Sequence, residues 1–405
     1  MDGRARVRLQ AGKQGALRAG RPWVYRGEIA HVQGRPVSGA VVAVEDAAGA
    51  FCALGFYHET SVLAVRVLSR RADATCDAAF FRARLEAACA LRRRLADDPA
   101  VCRLVFAEAD GLPGVIADRF GGVIVLSTLV TGMDARRDEL AADLADLTGV
   151  PHVFERNDGP VRRLEGLPER VGPLRGEPPE EVEIREGAVR LRIDLRHGQK
   201  TGHFLDQRSN HLAFGEAVSR LLTAGPVRLL DAFCHTGGFG LQGLAATAAA
   251  GVAATATFLD SSESAVGRAL ANAVLSGLAG ATGLVGNAFD ELRSLEAAGE
   301  RFDAVVLDPP AFARGRSQLD AAYRGYKECN LRAIRLLAPE GLLCTCSCSQ
   351  PVEEAMFAGM LADAAADAGR RLRVLWRRGA PPDHPGLLGA VETSYLRCWL
   401  LQAVD

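Results

Sequence analysis

Between residues 187 and 405, short apolar segments alternate with helical patterns, and this alternation restricts the fold more than any other feature of the chain. Strand-like VRLLDAF (227–233), TATFLD (255–260), GLVGNAF (283–289), FDAVVLDPP (302–310) and GLLCTCSCS (341–349) are each followed by helical periodicity. One of these helical stretches runs from Glu263 to Leu275, and a longer one ends near Leu337. Strands that pair in parallel need a crossover of a dozen or more residues, which a helix supplies. Five such units define a doubly wound, mostly parallel α/β sheet. A ligand of that topology binds at the carboxyl ends of the strands, so the residues closing each segment are the ones to read for chemistry.

At about 150 residues per domain, a chain of 405 residues makes two to three domains. Residues 1–72 read as short strands broken by turns, among them VRLQ, GRPWVYRGEI, the hairpin-like GAVVAVEDAAGAFCALGFY and SVLAVRVLS, which suggests a small β-barrel or partly open sheet. Residues 73–186 read as a second, α/β module. A helix from Asp77 to Leu95 carries Phe80, Phe81, Leu85, Ala88 and Leu91 on one side. Two or three strands surround a Gly-rich hairpin, a helix lies near 134–148, a strand spans His152 to Glu155, and GEPPEEVEI reads as an exposed connection. Residues 187–405 are the third part.

Composition removes several classes of function. The 48 basic and 49 acidic side chains nearly cancel, so a globally basic nucleic-acid binder is excluded. Residues 1–70 nonetheless hold ten Lys/Arg against five Asp/Glu, a local excess that suits a polyanion. Ten cysteines without a CxxC pair argue against a zinc site or disulfide framework and for reduced thiols in the cytosol. The opening MDGRARVRLQAGKQ has no apolar core of signal-peptide length. Gly237–Leu259 is a run of 23 uncharged residues, but it is mostly Ala, Gly and Thr and is divided at Gly251, so no membrane span is expected.

Four motifs close the strands. In DAFCHTGGFG (231–240), Gly237 and Gly238 allow close approach of the backbone to a ligand, and the following helix offers amino-terminal N–H groups. A tight strand-to-helix turn would look the same. Asp260, at the tip of the next strand, is placed to accept the two hydroxyl protons of a ribose, or to cap a helix. In DPPAF (308–312), two prolines stiffen the loop and hold Asp308 at its strand tip, where it can share a proton with a flat amide or amidine edge. In CTCSCS (344–349), strand alternation puts Cys344, Cys346 and Cys348 on one face, with Cys348 nearest the active end. A thiol there is a nucleophile once its thiolate is favoured, and otherwise a small core residue.

These motifs, together with GQKTGHFLDQR (198–208), FLDSS (258–262), GNAFD (286–290) and RGYKECN (324–330), resemble the bacterial large-subunit ribosomal RNA cytosine-C5 methyltransferases of the RlmI type over the whole chain. The resemblance implies an N-terminal PUA-like RNA-binding domain, a small central domain and a Rossmann-like class I methyltransferase domain. It also implies S-adenosylmethionine as methyl donor. By position, the segment from Asp231 through Phe233 to Gly237 and Gly238 would hold the methionine part, Asp260 the ribose, and Asn287 with Ala288 the adenine, next to Asp308. The family usually carries Asp where this chain has Asn287; an amide can still meet the adenine amino group through its carbonyl.

The chemistry implied is addition of the Cys348 thiolate to C6 of a cytosine, with Asp308 supporting the ring at N3, so that C5 becomes able to take a methyl group. Ser347 and Ser349 flank Cys348 as in the family pattern, which distinguishes it from Cys346. Lys200, Phe204, Gln207 and Arg208 would line the base pocket or touch the RNA backbone, Arg324 and Lys327 would meet phosphates or form a solvated helix face, and a flipped base must leave its stack to enter. Trp23 and Tyr25 belong to the module that would grip structured RNA. Two rivals stand: N-methylation of an exocyclic amine, with Phe312 stacking on the base, and a non-catalytic RNA-binding protein. The expected partner is large-subunit ribosomal RNA, the expected location the cytoplasm and the expected assembly a homodimer, with no metal.

Overall fold

A computed structural model describes residues 4–198, 201–313 and 315–404. They form two compact units. The first comprises the chain up to Val182 with Ile193–Leu205 and Pro382–Thr393; the second comprises Glu183–Arg192, Asp206–Pro381 and the chain from Ser394 on.

The first unit contains two sheets. Six strands between Arg6 and Ser69 make one, and alternation sets its inner face: Val7 and Leu9, Val42 and Val44, and Val65 and Val67 are buried. The EDAAGA turn forms because Asp46 Oδ1 accepts from the Ala48 and Ala50 N–H groups at 3.0 and 2.9 Å, leaving Gly49 to take the left-handed backbone. A five-stranded sheet follows, from Val101–Phe106 to Arg170–Arg175. Its covering helix, Ala78–Leu95, starts where the Asp77 side chain accepts from the Phe80 N–H at 3.0 Å. That helix buries Phe81, Leu85, Ala88 and Cys89. The expected exposed connection GEPPEEVEI is in part a strand, Glu181–Glu186, because the alternating Val182 and Ile184 give it an inward face.

The second unit is built on a seven-stranded sheet. In chain order the strands are β1 (Val227–Ala232), β2 (Ala254–Asp260), β3 (Ala281–Val285), β4 (Phe302–Leu307), β5 (Leu337–Ser347), β6 (Leu372–Arg378) and β7 (Arg397–Ala403). In space the order is β3-β2-β1-β4-β5-β7-β6. The first five strands run parallel, and β7 pairs antiparallel with both β5 and β6. The helices are α1 (Arg208–Leu221), α2 (Gly238–Ala249), α3 (Glu263–Leu275), α4 (Ala288–Ala297), α5 (Leu319–Leu336) and α6 (Glu354–Ala368).

Alternation along β1 decides what faces each side. Leu230 and Ala232 enter the core under α4, α5 and α6, with Val305, Leu307, Ile334 and Phe357. Leu229 and Asp231 face the α2 side instead, where a Cβ on Gly243 would strike Leu229 and one on Gly240 would approach Asp231. The run Gly237–Leu259 divides into α2 and β2, and among the described residues no helix is long and apolar enough to cross a membrane.

Candidate active site

Strands β1 and β4 end side by side at the centre of the sheet, where the order reverses: Ala232 is the partner of Leu307 on one side and of Leu259 on the other. The turn after β1 has an uncommon backbone. Phe233, His235 and Gly237 have φ of 61°, 48° and 87°. A non-glycine residue held there costs of order 1–3 kcal/mol and persists only where its surroundings impose it. Here the amides are tied. Cys234 N–H donates to the Leu259 carbonyl at 3.1 Å, Gly237 N–H to the Cys234 carbonyl at 2.7 Å, and His235 N–H to Asp260 Oδ2 at 3.1 Å.

Packing by itself requires glycine in this turn. A Cβ on Gly238 would lie 2.3 Å from His211 of α1, and one on Gly237 would lie 3.0 Å from Ala269 of α3. The His211 ring meets Phe239 edge-on, with centroids 4.5 Å apart. Its Nδ1 lies 2.9 Å from Glu186 Oε2, and both groups are buried. Burial opposes the charged imidazole, but Glu186, with smaller pulls from Asp308 and Asp231, holds the His211 pKa above its ordinary value. Asp231 is turned inward too, its Oδ2 accepting from the Gly240 N–H at 2.8 Å, and burial pushes its carboxyl up to about 7. Its side chain therefore braces the first turn of α2.

Asp260 is partly exposed at the tip of β2, with Oδ2 held by His235 N–H and Oδ1 by Ser262 N–H at 3.0 Å. Each carboxylate oxygen has a second lone pair, so the group is oriented and still able to accept from a diol. Asn287 caps α4, its Oδ1 accepting from the Phe289 N–H at 2.9 Å. It is exposed, while Ala288 behind it is buried. A carbonyl oxygen with two lone pairs can cap and still accept once more.

Strand β5 ends at Ser347, so Cys348 lies one residue beyond the ladder. Cys344 and Cys346 do share a face. With Cys398 of β7 they make a cluster whose sulfurs lie within 4.8 Å of one another, and burial holds all three thiols well above the ordinary range. Cys348 is partly exposed, and its thiol donates toward the Pro309 carbonyl at 3.8 Å, so it adjoins the DPPAF loop. Ser349 joins the two loops. Its Oγ accepts from the Ala313 N–H at 3.1 Å and lies 2.8 Å from the Tyr326 hydroxyl. Phe312 packs on Tyr326 and Phe289, with centroids 4.6 and 5.8 Å away.

The remaining predicted residues have varied surroundings. Gln207 is buried, and its Nε2 donates to Asp308 Oδ1 at 3.0 Å. Arg208 is turned inward at the start of α1. Phe204 is partly buried and belongs to the first unit. Arg324 is exposed on α5, and Lys327 pairs with Asp367 of α6 at 2.8 Å. Lys200 lies outside the described residues. His211, Glu186, Asn210 and Tyr326 were not singled out from the sequence; Ser349 was noted only as a residue flanking Cys348.

A central β1–β4 switch point, a bent loop beneath a helix amino terminus and an acceptor at the tip of β2 define a nucleoside-cofactor enzyme of the class I methyltransferase fold. Comparison with known proteins agrees. Residues 113–397 match the S-adenosylmethionine-dependent methyltransferase family and residues 7–70 match a PUA-like domain. Ribosomal RNA large subunit methyltransferase I of Tolumonas auensis is 38% identical over 98% of this chain and 99% of its own. The protein of that name from Escherichia coli O9:H4 is 36% identical over 97% and 98%. A solved structure from Streptococcus mutans, provisionally described as a methyltransferase dependent on S-adenosylmethionine, has a TM-score of 0.80 at 18% identity, covering 98% of this chain and 99% of its own. A further solved methyltransferase, complexed with S-adenosylhomocysteine, gives the same figures. The chain belongs to the S-adenosylmethionine-dependent methyltransferase family and to the branch that contains these ribosomal RNA large subunit methyltransferase I proteins. Its methyl donor is S-adenosylmethionine, a group that the oriented Asp260 carboxylate and the bent 233–238 turn suit.

Proposed function

We propose that the chain methylates C5 of a cytidine in large-subunit ribosomal RNA, with Cys348 as the nucleophile and Asp308 as the group that meets the base. The observation that carries this reading is the adjacency of two strand tips. Cys348 Sγ lies 3.8 Å from the carbonyl of Pro309, the residue after Asp308, while the other two thiols of the motif are buried. The names of the relatives support the RNA class, and the PUA-like match at 7–70 falls on the locally basic segment. We read residues 1–72, 73–186 and 187–405 as the RNA-binding, central and methyltransferase modules of a cytosolic enzyme, and a homodimer as its assembly.

S-adenosylmethionine, when bound, supplies an electrophilic methyl group. Asp260 would hold its ribose, the 231–238 turn its methionine part, and Asn287 with Ala288 its adenine. The Cys348 thiolate forms a bond to C6 of the cytosine, which converts the ring into an enamine nucleophilic at C5. A proton that Asp308 shares with N3 passes to the ring as charge develops there, and the carboxylate so formed accepts from N3–H until the ring is restored. Once C5 is alkylated, loss of its proton expels Cys348 and restores the ring. Engagement of Phe312 with Tyr326 and Phe289 favours this over N-methylation, which would ask that ring to stack on the base.

RNA containing 5-fluorocytidine tests the covalent step, since fluorine at C5 blocks the final proton loss. The protein is expected to form a protein–RNA adduct that survives denaturing electrophoresis, and Cys348→Ala to form none. An adduct of equal yield in Cys348→Ala overturns the assignment.

A further inference from the structure

We infer that Gln207 is a positioning residue: it orients and polarises the Asp308 carboxylate, and Asn210 with Arg378 fixes which way its amide faces. The inference rests on the proposed reading of Asp308 as the group that meets the base. The observation is an ordered chain of side chains within the second unit. Arg378 Nε donates to Asn210 Oδ1 at 3.2 Å, Asn210 Nδ2 donates to Gln207 Oε1 at 2.6 Å, and Gln207 Nε2 donates to Asp308 Oδ1 at 3.0 Å.

Each orientation follows from the one before. A guanidinium has donors only, so Asn210 must turn its oxygen toward Arg378. Its amide nitrogen then faces the Gly379 carbonyl, at 3.1 Å, and the Gln207 oxygen. Gln207 is left with its nitrogen toward Asp308. Both amides are buried, so neither can be reoriented by water at no cost. The two dipoles point head to tail from a cation to a carboxylate, which strengthens each bond in a poorly screened setting. A donor held at Oδ1 stabilises the carboxylate that forms as the shared proton passes to N3 and fixes the plane in which Asp308 meets a base.

The neighbourhood makes this support consequential. Among the described residues, the titratable groups that feel Asp308 include His211, Asp231 and the buried thiols Cys344, Cys346 and Cys398. Asp231 is a second carboxyl that disfavours charge at the first, and Gln207 supplies a neutral donor against it. The segment containing Gln207 precedes the methyltransferase strands by some twenty residues, and sequence alone suggested that it touches RNA or lines the pocket.

The test is the pH dependence of turnover in full-length Gln207→Leu, Gln207→Glu and Arg378→Leu, with S-adenosylmethionine affinity measured alongside. Gln207→Leu is expected to lower kcat about tenfold or more, since the carboxylate formed in the step loses its donor, to move the alkaline limb of the profile to higher pH and to leave S-adenosylmethionine affinity unchanged. Gln207→Glu restores a donor only while it shares a proton with Asp308, so its activity is expected to fall as pH rises. Arg378→Leu, at an exposed position, is expected to show a smaller shift in the sense of Gln207→Leu, and it serves should either Gln207 variant fail to fold. Profiles that keep the wild-type shape in all folded variants would overturn the inference. If Asp308→Asn matches wild type, or wild type makes no 5-methylcytidine, the reading of Asp308 itself falls, and the inference with it.

Discussion

Asp231 illustrates what burial does to a single residue. Its carboxyl is raised from 3.8 to about 7 in the folded protein, so between those values the folded state holds a proton that the unfolded chain has released. Stability contributed at this site is therefore fully present below about pH 4 and declines as pH rises toward 7. Asp231→Asn removes that slope. It is expected to gain on the order of 1–3 kcal/mol over wild type at pH 8 and little at pH 4; equal denaturant midpoints for the two proteins at both pH values would contradict the buried carboxyl. Ser349→Ala acts in the other direction. It leaves the Ala313 N–H and the Tyr326 hydroxyl without the oxygen both use, at a cost of about 1–3 kcal/mol, and calorimetric melting should register it. At this scale the sequence made Asp260, Asp308 and Cys348 legible, because each follows an apolar strand directly. Gln207, His211 and Glu186 were not legible in their present roles. What they touch depends on how α1 lies against β1 and β4, and no local pattern encodes that.

Among the elements, the five parallel strands were read correctly as a doubly wound sheet, because each is a short apolar run followed by helical periodicity, and β1, β4 and β5 at its centre are buried on both faces. Strands β6 and β7 were missed. LRVLWRR mixes exposed arginines with apolar residues as an edge strand does, and β7 lies between it and β5, paired antiparallel with both. The β5 ladder stops at Ser347, one residue short of the thiol that adjoins the Pro309 carbonyl. Helix α4 provides a test of how an element and the cofactor share one side chain. Asn287→Ala is expected to lose about 1 kcal/mol of stability through the cap and to weaken S-adenosylmethionine binding. Asn287→Asp should keep the cap, since aspartate suits a helix amino terminus. Calorimetric titration of the donor into the three proteins checks this, and equal affinity in all would remove Asn287 from the cofactor site.

For the molecule as a whole, the chain crosses between its two compact units more than once, at 183–205 and again at 382–393. A reading that proceeds segment by segment has no means of seeing such a crossing, since the strands Glu181–Glu186 and Val189–Asp194 carry no local mark of the unit they join. The function drawn from the whole combines a PUA-like module, a methyltransferase sheet and a partly exposed thiol beside the Asp308 loop. The most direct measurement is to incubate unmodified large-subunit ribosomal RNA with isotope-labelled S-adenosylmethionine and either wild-type protein or Cys348→Ala, then to separate the nucleosides by mass spectrometry. Labelled 5-methylcytidine from the wild type and none from Cys348→Ala, with both proteins binding the donor, is the predicted result. Label in an N-methylated nucleoside, or undiminished 5-methylcytidine from Cys348→Ala, would contradict it.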